Sequence, residues 1–489
     1  MPLALFCFGC AAFGLVGLPP FVGSVSRWHL AIGAMSALPG GFVWVAALLV
    51  LAALAAAALL VPLSRGFFPG QDYEPDTKMH YGACVGVPIA LLAGVLLWSG
   101  VFPEYLLRWV TAASAVFVEL PLPAAVPDFV RMISGAPVAV WLLALVFVLP
   151  LAGSVGVWAI SLYGQTIPGN GWRDRRDAII WGSCGLTLVA VLALRNHWGT
   201  EFLLLGAGGV GYSFGIDGLR YALAVLVTVL WLLSSLFSRW YLAQSGHKMR
   251  YYFFFLLGES AILTVLFSAD LYTLLSGFVM LNVACWVLTG HRESEAARLA
   301  GNRALAGIIA GGLCALGGVL LLCSLRGPVR FTALQLVGAT PHRATLYLAG
   351  GLILVGISIG CAVWPLPKRM PSTTFAPGPA AALLAGAVTV AWLFSAMVLS
   401  GQLFWWDQPW GLLLTVMGTV MMTAAAAAAL WSRNLKQTLS LLSVSQTGII
   451  LLSLGLNCLL TSQNHIAAEA VVLESLHHEI GRASCRERV

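Results

Sequence analysis

Charged side chains are scarce in this 489-residue chain, which has only 9% Asp, Glu, Lys and Arg against 60% hydrophobic residues. Soluble domains carry roughly 25% charged residues. A chain of this length with so few charges could not cover the surface of a soluble fold. The mean hydropathy of +0.90 excludes the same class of protein.

Motifs of soluble enzymes are also missing, because the sequence has no P-loop, nucleophile elbow, DxD motif or cluster of metal ligands. The glycine-rich stretch 206–211 superficially resembles a dinucleotide-binding loop, but no soluble helix follows it, so we interpret it as a surface hairpin. The sequence therefore predicts no cofactor, no metal and no catalytic site of its own. The net charge of +7 comes from Lys and Arg between apolar runs, which indicates membrane topology and no nucleic acid.

Long apolar runs are what the sequence does contain. Runs of roughly 20 residues, enough to cross about 30 Å of hydrocarbon, recur along the whole chain. They predict an all-α, polytopic bundle with broken helices and about thirteen to fourteen membrane spans in a lipid bilayer. The predicted spans are 3–36 (interrupted at Pro19 and Pro20), 41–63, 83–104, 137–160, 177–195, 217–237, 251–269, 271–290, 304–324, 344–364, 376–400, 409–431 and 437–458, with a fourteenth beginning near 464.

Basic residues alternate between the connections and so predict the orientation, with two exceptions, 105–136 and 325–343, which contain Arg but weigh less because they are longer. Lys and Arg occur in the connections 64–82, 161–176, 238–250, 291–303, 365–375 and 432–436. They are absent from the connections 196–216, 270, 401–408 and 459–463. By the positive-inside rule the basic connections face the cytoplasm. We expect a multi-pass protein of the cell inner (plasma) membrane.

Prolines indicate two modules. Pro19 and Pro20 break the first apolar run, because proline lacks the N–H that a helix interior needs. Further prolines in 116–136 predict a linker that lies along the outer surface. We expect 1–115 to be the last helices of one module and 137–478 to be the first eleven or so helices of a second. Residues 479–489 interrupt the apolar pattern abruptly and are interpreted as a non-native tail.

Several short segments resemble one family. Residues 17–28 (GLPPFVGSVSRW) resemble the "GLPP…GF.SKW" segment of antiporter-like membrane subunits, which occur in respiratory complex I, Mrp cation/proton antiporters (D-type subunits) and membrane-bound hydrogenases. Residues 214–219 (FGIDGL) are similar to the "FG.DGLS" opening of the third helix of these subunits. The spacing of prolines from Pro365 onward and the segments 434–437 and 443–448 also match. The resemblance implies a proton-translocating membrane subunit with other membrane subunits as partners.

The ionisable residues that the resemblance leads one to expect are absent from the second module. The family uses a Glu on helix five, a Lys on helix seven and a His or Lys on helix eight. The matching positions here are Val279, Gly360, Pro367 and Ala385. We therefore expect this module to lack the known proton relay and to keep only the frame.

Few other groups are candidates for ion transport. Glu259 lies in the middle of a span and is either a structural carboxyl or a substitute relay group. Asn282 could orient water, and Lys436 is either a cap or a relay element. Arg27 matches the basic position of the broken helix, and His477 falls near a family segment of helix eleven. Asp270, at the outer end of a helix, is expected to be a solvated turn residue.

Three functions remain open on the sequence alone. The first is a conducting antiporter-like subunit of an NADH-quinone oxidoreductase, Mrp or hydrogenase-type complex that moves protons or Na⁺. The second is a scaffold subunit of such a complex that does not transport, which the missing relay favours. The third is an unrelated multi-helix transporter or membrane enzyme. Pro19, Pro20 and Pro365 are expected to mark helix breaks in the first two cases.

Overall fold

The computed structural model describes residues 3–21, 137–163, 171–197, 200–207, 210–242, 246–292, 294–326, 342–360, 376–404, 407–430 and 435–459, with isolated positions between 24 and 102 and at 330, 331 and 334. The helices within these residues are α1 (Leu3–Val16), α2 (Pro137–Tyr163), α3 (Gly171–Ala193), α4 (Gly218–Tyr241), α5 (Lys248–Phe267), α6 (Leu271–Thr289), α7 (Glu295–Arg326), α8 (Arg343–Gly360), α9 (Gly378–Val398), α10 (Gln408–Leu430) and α11 (Leu435–Leu459). Strands β1 (Thr200–Ala207) and β2 (Val210–Ile216) complete them.

The polytopic helical class predicted from the sequence is confirmed. Every predicted span from 137 to 458 corresponds to one of these helices, and eight of the described helices are long and apolar enough to cross a membrane. The predicted spans 41–63 and 83–104 lie mostly outside the described residues, as do the linker 116–136 and the tail 479–489.

Helices α5 and α6 form the centre of the bundle. The buried share of the apolar span is 78% in α5 and 89% in α6, against 28% in α10. A central helix must be apolar on every face, because it has helices and not water around it. A polar side chain in the middle of α5 or α6 is therefore surrounded by protein.

Pro19 and Pro20, the predicted helix break, follow the end of α1. Helix α1 ends at Val16, and Gly17 follows it with φ of 77°, a left-handed conformation that glycine adopts without strain. The peptide bond between Pro19 and Pro20 is cis. The turn buries Leu18 completely, next to the middle of α7, where a Cβ placed on Gly312 would lie 3.2 Å from Leu18 Cδ2.

The glycine-rich stretch belongs to a β-hairpin, as the sequence predicted. Strands β1 and β2 pair antiparallel from Thr200 opposite Ile216 to Ala207 opposite Val210. The hairpin is tied to the start of α6, because the backbone N–H of Ala269 donates to the carbonyl of Ser213 at 2.8 Å. It therefore covers the end of the bundle where α5 ends and α6 begins.

Candidate functional site

Glu259 is the carboxyl at the centre of the candidate site. It lies on α5 and is completely buried. The Cys184 thiol of α3 donates a hydrogen bond to Glu259 Oε2 at 3.3 Å. The second oxygen, Oε1, is buried with no hydrogen-bond partner among the described residues. A buried carboxyl with one open oxygen can gain or lose a proton without breaking an ion pair.

Neighbouring helices hold this part of α5 in place. The indole N–H of Trp231, on α4, donates to the carbonyl of Phe255 at 3.1 Å. The close approach of Trp231 needs Gly258, because a Cβ there would lie 3.2 Å from the indole ring. The Ser260 hydroxyl donates to the carbonyl of Phe147 on α2 at 3.2 Å. Glu259 therefore sits on a backbone that α2 and α4 fix from two sides.

A cluster of charges lies two helical turns away, at the basic end of the bundle. Asp177 is paired with Arg176 at 2.6 Å and with Arg239 at 3.3 Å. The Arg176 guanidinium lies 5.3 Å from the centre of the Tyr252 ring. The Ser238 hydroxyl donates to Tyr252 Oη at 3.2 Å. The cluster joins α3, α4 and α5 at the same level of the bundle.

Val279, predicted from the sequence to match the family's helix-five Glu, is an apolar side chain in close contact with its neighbours. Val279 lies in the middle of α6 and is 1% exposed. A Cβ on Gly312 of α7 would lie 3.7 Å from its Cγ2 and 3.2 Å from Leu18 Cδ2. Val279 therefore packs at the point where α7 and the turn after α1 meet.

The remaining sequence candidates do not join this site in the part of the chain that the structure describes. The Asn282 amide donates to the carbonyl of Phe278, one turn earlier on α6, at 2.8 Å. Lys436 falls at the start of α11, as expected for a residue near a helix end. Arg27, His477 and Pro365 lie outside the described residues.

Asp270 is more than the solvated turn residue expected from the sequence. It is the N-cap of α6, and its Oδ1 accepts from the backbone N–H of Thr273 at 2.6 Å. Its other oxygen accepts from the hydroxyls of Ser213 and Thr273. Burial under the hairpin raises the pKa of the Asp270 carboxyl, and these hydrogen bonds oppose that rise. Asp270 attaches β2 to α6.

Sequence reasoning found Glu259 but missed the side chains that lead to it. Cys184, Ser235, Ser238 and Tyr252 are uncharged, so none of them stood out among the apolar runs. One signal was available. Asp177 and Cys184 are seven residues apart on α3, as are Tyr252 and Glu259 on α5, so each pair shares a helix face.

One family model matches a large part of the chain. Residues 268–478 match the model described as NADH:quinone oxidoreductase/Mrp antiporter, TM. The match begins just before α6 and includes every helix from α6 to α11. It confirms the resemblance to antiporter-like subunits that the sequence segments indicated.

Curated relatives are named as antiporter subunits. The chain is 25% identical over 365 residues to a probable K⁺/H⁺ antiporter A/B subunit of Rhizobium meliloti (strain 1021), a match that covers 70% of this chain and 34% of the relative. It is 27% identical over 313 residues to an Na⁺/H⁺ antiporter A1 subunit of Staphylococcus haemolyticus (strain JCSC1435), covering 63% and 36%. The chain thus spans about a third of the length of these relatives.

Two solved complexes contain chains with this fold. A chain of the membrane-bound sulfane sulfur reductase, an archaeal respiratory membrane complex, superposes with a TM-score of 0.59 and 16% identity over 70% of this chain and 55% of its own. A chain of the Mrp complex from Dietzia sp. DQ12-45-1b gives a TM-score of 0.55 and 19% identity over 69% and 64%. At these identities the likeness shows the fold alone.

Proposed function

We propose that the chain is an antiporter-like component of a multi-subunit complex that moves protons or Na⁺, because residues 268–478 match the family model described as NADH:quinone oxidoreductase/Mrp antiporter, TM. The names of its relatives support this proposal, because they are subunits of K⁺/H⁺ and Na⁺/H⁺ antiporters. The inner (plasma) membrane is the location that the basic connections favour. The module from 137 to 478 would pack beside a first module within 1–115.

The observation that carries the finer proposal is the packing of Val279. A relay carboxyl at mid-depth is costly and needs a charged or polar partner. Val279 is instead buried between α7 and the turn that holds Leu18. We therefore infer that this module works without the family's relay. Its frame then serves either as a scaffold between neighbouring modules or as the support for a different proton site.

Co-purification tests membership of a complex. An affinity tag on the full chain, expressed in its own host, is expected to bring down other multi-pass membrane subunits after mild detergent extraction. The measurement is mass spectrometry of the bands in a native gel. A matched tag on an unrelated multi-pass protein of the same membrane is the control. Recovery of the chain alone, in several mild detergents, would contradict the proposal.

Substitution of Val279 tests the loss of the relay. Val279→Glu is expected to lower the free energy of unfolding by about 2–4 kcal/mol, because the new carboxyl would replace an apolar side chain that is buried near Leu18 and Gly312. Val279→Thr, of nearly the same shape, is the control. We expect a loss of about 1 kcal/mol, since its hydroxyl can bond to its own helix. Both are measured by thermal unfolding in detergent. A tolerated Val279→Glu variant would show that partners for a relay carboxyl are still present.

A further inference from the structure

We propose that Glu259 is a proton-binding site, reached from the basic end of the bundle along a column of polar side chains on α3, α4 and α5. The column is defined as Tyr252, Ser238, Ser235 and Cys184. It involves none of the positions that match the family's relay. The inference deepens the proposed function, because a module without that relay can still exchange protons here.

The carboxyl itself has the geometry that a proton site needs. A carboxyl kept only for structure is expected to have both oxygens satisfied in a buried place. Glu259 has Oε2 bonded to the Cys184 thiol, while Oε1 is buried without a partner among the described residues. No arginine, lysine or histidine ion pair to Glu259 occurs in the described part of the chain, so its charge is not fixed by a counter-ion. Glu259 can therefore bind and release a proton without breaking an ion pair.

The column links this carboxyl to the charged cluster. Ser235, on α4, lies beside the Cys184 thiol, which donates to Glu259 Oε2 at 3.3 Å, and the Ser235 hydroxyl itself donates to the carbonyl of Leu232 at 2.7 Å. One turn nearer the basic end of α4, the Ser238 hydroxyl donates to Tyr252 Oη at 3.2 Å. Tyr252 and Glu259 are seven residues apart on α5, which is about 10 Å along the axis. The Cys184 thiol of α3 contacts Glu259 at one end of that interval, and the Ser238 hydroxyl of α4 contacts Tyr252 at the other.

The charged cluster gives the column an end at the protein surface. The side chain of Asp177 is 7% exposed, whereas that of its partner Arg239 is 46% exposed. The cation of Arg176 lies over the ring of Tyr252, the first residue of the column. Arg176, Asp177 and Arg239 lie near the ends of α3 and α4 that adjoin the connections rich in Lys and Arg. Those connections face the cytoplasm by the positive-inside rule. Protons enter and leave on that side.

The chemistry is a single reversible proton transfer. A proton from the aqueous phase binds to the ionised Glu259 carboxylate and gives the neutral acid. The return step releases the same proton, so no other bond changes and nothing is oxidised or reduced. Hydroxyl and thiol groups both donate and accept hydrogen bonds, which is what a proton route through the column requires.

Infrared difference spectroscopy after a pH jump tests the proposal on the full chain in lipid nanodiscs. The wild type is expected to show a carboxylic acid C=O band that Glu259→Gln abolishes. Cys184→Ala is expected to shift the frequency of this band, because the thiol hydrogen bond is lost. This frequency shift in Cys184→Ala assigns the band to Glu259 even if Glu259→Gln fails to fold. Tyr252→Phe and Ser235→Ala should keep the band and slow its appearance by about tenfold or more, the effect of losing one hydrogen-bonded step.

Thr264→Val is the matched control, because this hydroxyl is also buried on α5 but donates to the carbonyl of Ser260 in its own helix, at 2.8 Å. We expect its band and rate to equal those of the wild type. The proposal is overturned if no band depends on Glu259. It is also overturned if Tyr252→Phe and Ser235→Ala respond as fast as Thr264→Val. The infrared experiment needs no other protein, so a negative result leaves the proposed membership of a complex unaffected. A negative co-purification likewise leaves the proposed proton site at Glu259 unaffected.

Discussion

Replacing Gly418 with alanine is expected to destabilise the bundle, because one added methyl group would push α10 away from α11. A Cβ at Gly418 would lie 2.5 Å from the backbone N of Leu452 and 2.8 Å from the carbonyl oxygen of Gly448. Neither of these atoms can move unless its whole helix moves. Overpacking of this kind typically costs about 1–3 kcal/mol.

The contact at Gly418 is one part of a regular interface. Four glycines allow the close approach of α10 and α11: Gly411 and Gly418 on α10, Gly448 and Gly455 on α11, with the members of each pair spaced seven positions apart. Gly448 is the counterpart of Gly418, since a Cβ there would lie 2.6 Å from the backbone N of Met422. Helices in lipid associate through small residues that let the backbones approach. The effect of Gly418→Ala is therefore expected to spread along the interface.

A matched glycine elsewhere gives the opposite expectation. Gly351 lies inside α8, and a Cβ there would meet no atom within 4 Å. Gly351→Ala should stabilise the protein by about 0.5–1 kcal/mol, because alanine loses less conformational freedom in a helix than glycine. Thermal unfolding of both variants in the same detergent is the measurement. If Gly418→Ala raised the unfolding temperature, as Gly351→Ala is expected to do, the close approach of α10 and α11 would be contradicted.

The helices were predictable from the sequence because crossing a membrane leaves a strong signal. Long apolar runs and alternating basic connections located α2 to α11 to within a few residues, apart from earlier starts of α3 and α7. Which faces meet was not predictable. A helix such as α6 is apolar on every side, so its periodicity does not mark the face that packs against α7. The exclusion of a relay carboxyl at Val279 could be read from the sequence, but its contact with Gly312 could not.

In the candidate site, too, the residue that its own segment marks was predictable, whereas its partners from distant segments were not. The sequence placed Glu259 at mid-span, since a carboxylate in an apolar run is conspicuous. Its partner Cys184 lies 75 residues earlier, and a thiol in an apolar run carries no signal of its own. Asp270 is similar, because its cap on α6 is local while its bonds to Ser213 come from a hairpin 57 residues earlier. Such contacts depend on the fold as a whole.

Arg250→Met is expected to loosen the segment around Phe68 from the rest of the bundle. The Arg250 guanidinium donates from Nη1 to the carbonyl of Phe67 at 2.9 Å and from Nη2 to that of His291 at 3.1 Å. It also lies 5.7 Å from the centre of the Phe68 ring. Phe68 is fully buried against Gly290, where a Cβ would collide with the ring. Arg250 thus joins residues of the predicted first module to α5 and the end of α6.

The expected loss is about 2–4 kcal/mol in the free energy of unfolding, because hydrogen bonds from a charged donor contribute about 1.5–3 kcal/mol and two carbonyls lose their partner. Thermal unfolding measures the loss. Hydrogen exchange at the Phe68 amide, which donates to Ser64 at 2.9 Å, reports whether this segment opens first. Arg250→Lys should be intermediate, because an ammonium keeps the charge but lacks the planar fork.

The control for Arg250 is Arg175, an exposed cation on α3 at the same basic end of the bundle. Arg175→Met removes the same charge and adds the same apolar side chain, so any general effect of charge on the membrane surface appears in both variants. We expect it to change stability by less than about 0.5 kcal/mol. If both variants unfold alike, the Phe68 segment is held to the bundle by contacts other than those of Arg250. If only Arg250→Met opens the Phe68 segment, one guanidinium holds that segment to α5, the helix that carries Glu259.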